Sequence, residues 1–491
     1  MRKKSHILIA GAGEAGRMLL AEFVKRGRAV EIIGFVDDDP GKTGTVIDGK
    51  MVLGKTSDVT VILERNEVSR VIIAMPSAPH GSVNRVVGAI IAYNPGIHIH
   101  IIPQGEKFFD TVPLYPSLQE FTLSDLLKRD EYDVDIDAIE KKLSGRTILI
   151  TGAGGSIGSE ICRQLLKFNV GKIIAVGRGE FSIYTLVKSL NEYMDFMERK
   201  PRIVYRIADV KEGRMLEKVF QEHRPEIVFH AAAHKHVPLM EYNEGEAILN
   251  NVQGTRNVLD LSVRYGVDQF IFISTDKAVR PTSVMGATKR LAEMVTALYN
   301  GREGLRTAIV RFGNVIGSRG SVIPLFREQI ERGGPVTVTD PGVTRYFMSI
   351  PEASLLVINA AALSGGGEIF VLDMGEQYLV QDIARRLIEL YGYRPDIDIK
   401  IEFTGLRPGE KGYEELFYED GDLVKTDNDK ILVKMNNTGI PAQMIFDFLD
   451  REVQGLHELS SLAIRQRLKK LVPDYEFTED RKDETEGRYV N

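Results

Sequence analysis

Ser274-Thr275-Asp276-Lys277 places two hydroxyls, a carboxylate and an amine on consecutive residues, and Met285 and Lys289 follow shortly after. An acid beside a base is what proton removal coupled to departure of a hydroxyl requires. Met285 and Lys289 are four apart, so a helix shows both on one face. Met285 cannot carry a proton. The acceptor for a substrate hydroxyl proton is then expected to be Thr275, assisted by Lys289 or water. Lys277 can act as a base only if burial or a nearby cation lowers its pKa toward the working pH. A solvated charge pair capping the next helix is the bland alternative. The apolar run Phe270-Ile271-Phe272-Ile273 weighs against it, because it delivers the group to the end of a buried strand. Open α/β sheets place their ligands at such ends.

The elements that must position this group begin at Thr147-Ile148-Leu149-Ile150, an apolar strand. Thr151-Gly152-Ala153-Gly154-Gly155-Ser156-Ile157-Gly158 follows, and Ser159 to Phe168 reads as a helix. Gly152, Gly155 and Gly158 keep side chains away from a dinucleotide pyrophosphate, and Ser156 and Ile157 open the helix against it. The next strand, Lys172 to Val176, ends in Gly177-Arg178. An acidic residue there would favour NAD; Arg178 favours NADP by pairing with a 2′-phosphate, unless it is simply solvated. Asp209 and Val210 end a further strand and are placed at the adenine. Ala231, Ala232 and Ala233 end another and let the chain run close to the cofactor. Asn251 and Thr255 fall on the helix after it. Alternating strands and helices predict a doubly wound parallel sheet. An acid–base pair beside a nicotinamide points to oxidation coupled to loss of water.

A second phosphate-binding pattern lies at the start of the chain. His6 to Ala10 is a strand candidate, followed by Gly11, Gly13 and Gly16, an amphipathic helix to Gly27, and a strand from Glu31 that leads to Asp37. Asp37 is spaced to hold a ribose hydroxyl. The alternative is a Rossmann-like scaffold that binds nothing. His98 and His100 alternate with isoleucines and read as one strand face, not as metal ligands; no metal site is expected. The chain therefore divides into an N-terminal Rossmann-like domain (1–125), a helical connector (126–144), a catalytic domain (145–440), and a C-terminal helical segment with a charged tail (441–491).

Composition fits this plan. A chain of 491 residues suggests two or three domains, and 43% hydrophobic with 27% charged residues is globular. A net charge of -6 gives no footprint for nucleic acid. Cys162 stands alone, which excludes an internal disulfide framework and fits a reducing, cytoplasmic setting. No apolar run approaches the ~18 residues of a membrane helix.

Five ordered blocks carry a family resemblance: TGAGGSIGSEICRQ (151–164), HAAAHKHVPLME (230–241), STDKAVRPTSVMGATKR (274–290), VRFGNVIGSRGSVIPLF (310–326) and TGLRPGEK (404–411). Together they resemble the nucleotide-sugar 4,6-dehydratases of the extended short-chain dehydrogenase/reductase superfamily, nearest the bacterial polysaccharide-biosynthesis group acting on UDP-N-acetylglucosamine. The N-terminal segment is similar to the domain that precedes the dehydratase in long members, many of which begin with membrane helices not seen here. A Met at position 285 goes with the long, C5-retaining branch, whose product is UDP-2-acetamido-2,6-dideoxy-α-D-xylo-hexos-4-ulose.

The resemblance implies an internal redox cycle: oxidation at C4, loss of water across C5 and C6, and hydride return to C6. NAD or NADP would stay tightly bound and be regenerated each turn. Asp276 is then the acid at the C6 hydroxyl, Lys277 the base at C5, and Lys289 the group that orients the nicotinamide ribose. On the substrate side, Lys235 lies beside the sugar or its phosphates, and Asn314 meets a phosphate oxygen. Arg319, Arg345 and Arg407 suit the diphosphate, Glu410 the uridine ribose, and Pro324 with Phe326 the uracil. Relatives associate through helices, so a homo-oligomer is expected. A UDP-sugar 4-epimerase is the second reading, disfavoured by Met285 and the Asp-Lys pair. A nucleotide-sensing protein is the third.

Overall fold

The structure is a computed structural model, and it describes residues 6–101 with short gaps, 134–194, 201–417 apart from 392, 424–425, 431–435 and 439–477. The chain forms two compact units, Met1–Phe121 with Asn191–Lys200, and Thr122–Leu190 with Pro201–Asn491.

In the first unit the short apolar runs become strands β1 (His6–Ala10), β2 (Ile32–Val36), β3 (Val46–Ile47), β4 (Lys50–Gly54), β5 (Val68–Ile73) and β6 (His98–Ile101). Their order in the sheet is β3-β4-β2-β1-β5-β6. Only β3 and β4 pair antiparallel. Strands covered on both faces need no polar alternation, which is why the largely buried β1 and β2 read as continuous apolar runs. The order reverses at β1, and the glycine loop leaves the sheet there. Of the expected connector, Ile136–Leu143 is helical, capped by Asp135 through the Ala138 amide. Residues 126–133 lie outside the described residues.

The second unit is built on β7 (Thr147–Thr151), β8 (Lys172–Gly177), β9 (Arg202–Ile207), β10 (Ile227–His230), β11 (Gln269–Ile273) and β12 (Arg306–Arg311), in the order β9-β8-β7-β10-β11-β12. All of these pairs are parallel. The sheet continues through Glu368–Leu372, also parallel, and then through Ile431–Met435 and Val424–Lys425, both antiparallel. That antiparallel edge is absent from the sequence reading. Its cause is the segment after Leu372, which stays at the C-terminal end of the sheet to build the cleft. A strand returning from there without a crossover must run the other way.

Two buried polar clusters fix the frame around the cleft. His230, at the end of β10, stacks against the rings of Phe270 and Phe272 on β11, with centroids 5.6 and 5.8 Å away. Its Nδ1 is 2.7 Å from the Thr151 hydroxyl and its Nε2 is 3.0 Å from that of Thr255. Thr255 donates to the Asn251 carbonyl, so the ring donates at Nε2 and accepts at Nδ1. Burial, with Lys289 adding to it, pushes this histidine down to about 3, so it stays neutral. The other cluster holds buried Arg465, on the helix Ser461–Leu471. Arg465 donates to Glu241 Oε2 at 2.7 Å and to Glu244 Oε1 at 2.9 Å. The other oxygen of Glu241 accepts from the Val284 amide at 2.6 Å, the first residue of the helix Val284–Leu298. Among the described residues no helix is long and apolar enough to cross a membrane.

Candidate active site

Strand β11 is buried along its whole length, and its C-terminal end leads to a cleft of about 610 Å³ that Ser274, Thr275 and Lys277 line, whereas Asp276 is fully buried outside the lining. Ser274 lines the cleft, and its hydroxyl donates to Glu293 Oε1 at 2.6 Å. Glu293, fully buried, receives Arg311 in bidentate fashion at 2.7 and 2.6 Å, and Arg290 at 3.1 Å. Burial pushes the Glu293 carboxyl up, but Arg311, Arg290 and Ser274 outweigh it and bring it down to about 2. This network locks β11, β12 and the helix Val284–Leu298 to one another.

Thr275, Asp276 and Lys277 form a hydrogen-bonded chain. The Thr275 hydroxyl donates to Asp276 Oδ1 at 2.8 Å, and the Lys277 ammonium donates to the same oxygen at 3.0 Å. Asp276 is fully buried, and its Oδ2 has no hydrogen-bond partner among the described residues. Lys277 Nζ also reaches Asn314 Oδ1 at 3.1 Å and Glu414 Oε1 at 3.4 Å. Two hydrogen-bond acceptors and one ion-pair partner thus surround the amine. Burial pulls Lys277 down, but Asp276 and Glu414 outweigh it and hold the amine above its ordinary value. Its surroundings therefore favour the ammonium, opposite to the lowered pKa asked of a C5 base.

Met285 and Lys289 share one face of their helix, and both line the cleft. Lys289 Nζ donates to the Ile273 carbonyl at 2.7 Å and sits 3.9 Å from the Phe272 ring centre. Burial, opposed by Glu293, pushes this amine down to about 7, so it loses its charge as pH rises through neutrality.

The glycine loop closes the other wall. Gly152 has a φ of +65°, and a Cβ on it would lie 2.6 Å from the Ala232 amide nitrogen. A Cβ on Gly158 would lie 2.3 Å from the Gly152 carbonyl oxygen. Gly155, Ser156, Ile157 and Gly158 line the cleft where the helix Ser156–Leu165 begins, and Ala231 and Ala233 face it as well. Free amides at such a start attract anions.

Among the expected site residues, Gly152, Arg178, Asp209, Val210, Ala232, Asn251, Asp276 and Pro324 lie outside the cleft lining, and Asp276 reaches it only through its bonds to Thr275 and Lys277. Asn251 ties the loop after β10 to the helix Val284–Leu298, accepting from the His234 amide at 2.7 Å and donating to the Thr288 hydroxyl at 3.1 Å. Val210 packs on Gly254 and accepts from Asn257. Arg178 is half exposed, 3.9 Å from Asp209 and 3.8 Å from Glu246. Asp209 accepts from the Lys211 amide at 3.0 Å.

On the far side, Lys235 donates to the Ser318 hydroxyl at 3.3 Å. Burial, with Lys277 adding to it, lowers its pKa. The Arg319 amide donates to Ser156 Oγ at 3.2 Å, so the loop after β12 reaches the glycine loop. Asn314, expected at a phosphate, is engaged by Lys277. Arg345 gives its donors to the carbonyls of Thr344, Lys411 and Gly412 and to Glu410 at 3.3 Å. Arg407 Nε and the Thr339 hydroxyl also reach Glu410. Phe326 is fully buried in the core, and Val322 and Leu325 from the same helix face the cleft. Glu414, which the sequence reading missed, is 3% exposed and lines the cleft beside Lys277. Its Oε2 has no hydrogen-bond partner among the described residues.

In the first unit, Gly11 has a φ of +106°, and a Cβ on Gly16 would lie 2.0 Å from the Gly11 carbonyl oxygen. Gly13 has open space around it. Asp37 accepts from the Ala12 amide at 2.7 Å and from Lys42 at 3.3 Å, so its carboxylate braces the glycine loop. Among the described residues no group of His, Cys, Asp or Glu could hold a metal.

Residues 148–436, more than half of the chain, match the family described as polysaccharide biosynthesis protein. The chain belongs to this family. Residues 1–103 match a family described as a CoA-binding domain. The capsular polysaccharide biosynthesis protein CapD of Staphylococcus aureus is 46% identical over 419 residues, 84% of this chain and 69% of CapD. The probable polysaccharide biosynthesis protein EpsC of Bacillus subtilis is 41% identical over 475 residues, 95% of this chain and 77% of EpsC. Among solved structures, Pen from Bacillus thuringiensis superimposes with a TM-score of 0.55 at 33% identity, over 60% of this chain and 90% of Pen. This polysaccharide biosynthesis protein thus carries an α/β fold in each of its units, and the catalytic candidates fall inside the family match.

Proposed function

We propose that this protein is a UDP-N-acetylglucosamine 4,6-dehydratase. The observation that carries the reading is the hydrogen-bonded Thr275–Asp276–Lys277 chain, whose two outer members line a cleft beside a methionine that cannot exchange protons. The names of CapD and EpsC support a role for its product in surface polysaccharide synthesis.

Gly152 and Gly158 let the loop pack onto Ala231–Ala232 and onto itself where a Cβ would clash, and the start of the helix Ser156–Leu165 faces the cleft. These residues, with Ala231, Ala233 and Lys289, would hold a nicotinamide dinucleotide. Such a cofactor, when bound, supplies the acceptor for the C4 hydride and gives it back at C6. Half-exposed Arg178 suits a 2′-phosphate and favours NADP. Gly158→Ala is expected to weaken dinucleotide affinity at least about tenfold, since the glycine loop must shift and misplaced contacts cost on that scale. Fluorescence titration with NADPH checks this; unchanged affinity would remove the loop from the cofactor site.

The protein's own part is proton handling. A sugar O4 proton passes to Thr275 as the Thr275 proton passes to Asp276 Oδ1, along the 2.8 Å bond already present. This relay answers the loss of a tyrosine at position 285. Asp276 then delivers the proton to the C6 hydroxyl, which departs as water. Lys277 removes the C5 proton and returns it to C5 on the face it came from.

Incubation with UDP-N-acetylglucosamine, read by mass, tests the reading. The expected result is a product lighter by one water. A C4 epimer of unchanged mass would make the protein an epimerase, and no turnover would sink both.

A further inference from the structure

Glu414 is not placed by the mechanism above, yet it is built into the same centre. It is nearly inaccessible, 3.4 Å from the Lys277 ammonium, and one of its oxygens has no partner among the described residues. Neighbouring carboxylates in the same stretch are ion-paired: Glu410 with Arg345 and Glu415 with Arg280. Only Glu414 is directed to the catalytic lysine. An amine bracketed by two carboxylates cannot remove a carbon-bound proton until its own proton has somewhere to go.

Resting on the dehydratase reading, we propose that Glu414 is the group that takes the proton from Lys277, freeing it to act as the C5 base. Glu414 acts through Lys277, so it is a positioning residue for the base. The protons balance over one cycle. The O4 proton reaches Asp276 through Thr275, and Asp276 loses the charge that holds Lys277 as an ammonium. Lys277 then passes a proton to Glu414. The neutral amine takes the C5 proton, the C5–H electron pair forms the C5–C6 double bond, and the C6–O bond breaks. Oxygen leaves as water with the Asp276 proton. After reduction at C6, Lys277 returns its proton to C5 and recovers the other from Glu414. Each group ends as it began.

The groups facing Glu414 are Lys277 and Asp276 from the turn after β11, Arg345 from the strand Thr344–Arg345, and Lys411 from its own loop. Burial pushes the Glu414 carboxyl up; Lys277 opposes this, Asp276 adds to it, and Arg345 and Lys411 oppose. A carboxyl raised in this way is suited to hold a proton.

The test is the pH profile of water elimination for the full chain and its Glu414→Gln and Glu414→Asp variants. Glu414→Gln is expected to lower kcat at neutral pH at least about tenfold, with little change in KM. Its kcat should recover as pH rises, because Lys277 then loses its proton to solvent. Glu414→Asp should restore part of the loss. A purely structural role would lower kcat equally at every pH, and that result, or a wild-type profile, overturns the proposal. A second measurement needs no substrate. Acetylation of Lys277 by acetic anhydride, followed by mass across pH, should be roughly tenfold faster in Glu414→Gln, a shift of about one pKa unit. Equal reactivity overturns the proposal. A shifted Lys277 in a protein that releases no water from UDP-N-acetylglucosamine would instead strike the dehydratase reading and leave Glu414's hold on Lys277 standing.

Discussion

Asp276→Asn and Lys277→Ala each lower kcat for water elimination by about 10²–10⁴-fold, the range general acid–base groups contribute, with KM little changed. The geometry predicts a difference between them. Asp276→Asn removes both the relay's end point and the C6 acid, so oxidation at C4 and elimination fail together. Lys277→Ala leaves the Thr275–Asp276 bond in place. It should still oxidise C4 and exchange no C5 hydrogen. Single-turnover absorbance of the reduced cofactor, together with C5 deuterium wash-in from heavy water, separates the two. Near-wild-type turnover by either variant would remove that residue from the mechanism.

The largest effect on stability is expected at Glu293. Glu293→Ala leaves the Arg311 guanidinium buried without its bidentate carboxylate and takes the acceptor from Ser274. Removing one member of a buried ion pair costs about 3–5 kcal/mol, and chemical unfolding measures it. Loss of less than about 1 kcal/mol, the scale of an exposed pair, would mean that the network is open to water. The pH dependence has a definite sign. The folded Glu293 carboxyl, at about 2, lies below its ordinary 4.5. Its contribution is fully present above the ordinary value and is lost as pH falls through the window between the two.

Much of this centre can be read from the sequence, because its chemistry is local. Thr275, Asp276 and Lys277 are adjacent, Met285 and Lys289 are one helical turn apart, and Gly152 to Gly158 form one loop. The core strands are equally plain, since parallel strands buried on both faces leave unbroken runs such as Thr147–Thr151. Glu414 is hidden for the opposite reason. It sits in Gly409-Glu410-Lys411-Gly412-Tyr413-Glu414-Glu415, where every charge looks alike, and only folding puts it against Lys277. The surroundings of Arg345 are hidden in the same way: it lines the cleft, and only folding shows that its guanidinium donates to loop carbonyls. Glu293 was within reach. It lies four residues past Lys289 on the same helix, and a carboxylate on a buried helix face needs a cation.

The Arg465–Glu241 pair has a consequence for how the enzyme comes into being. The two residues are 224 positions apart, and Glu241 caps the helix that carries Met285 and Lys289. During synthesis the parallel strands and the glycine loop emerge from the ribosome well before Arg465 does. The nascent chain therefore carries the glycine loop before it carries a secured Val284–Leu298 helix, which is fixed only once the helix Ser461–Leu471 arrives. A proteolytic nick between Met435 and Ser460 would reverse that order, releasing the tether while the sheet remains.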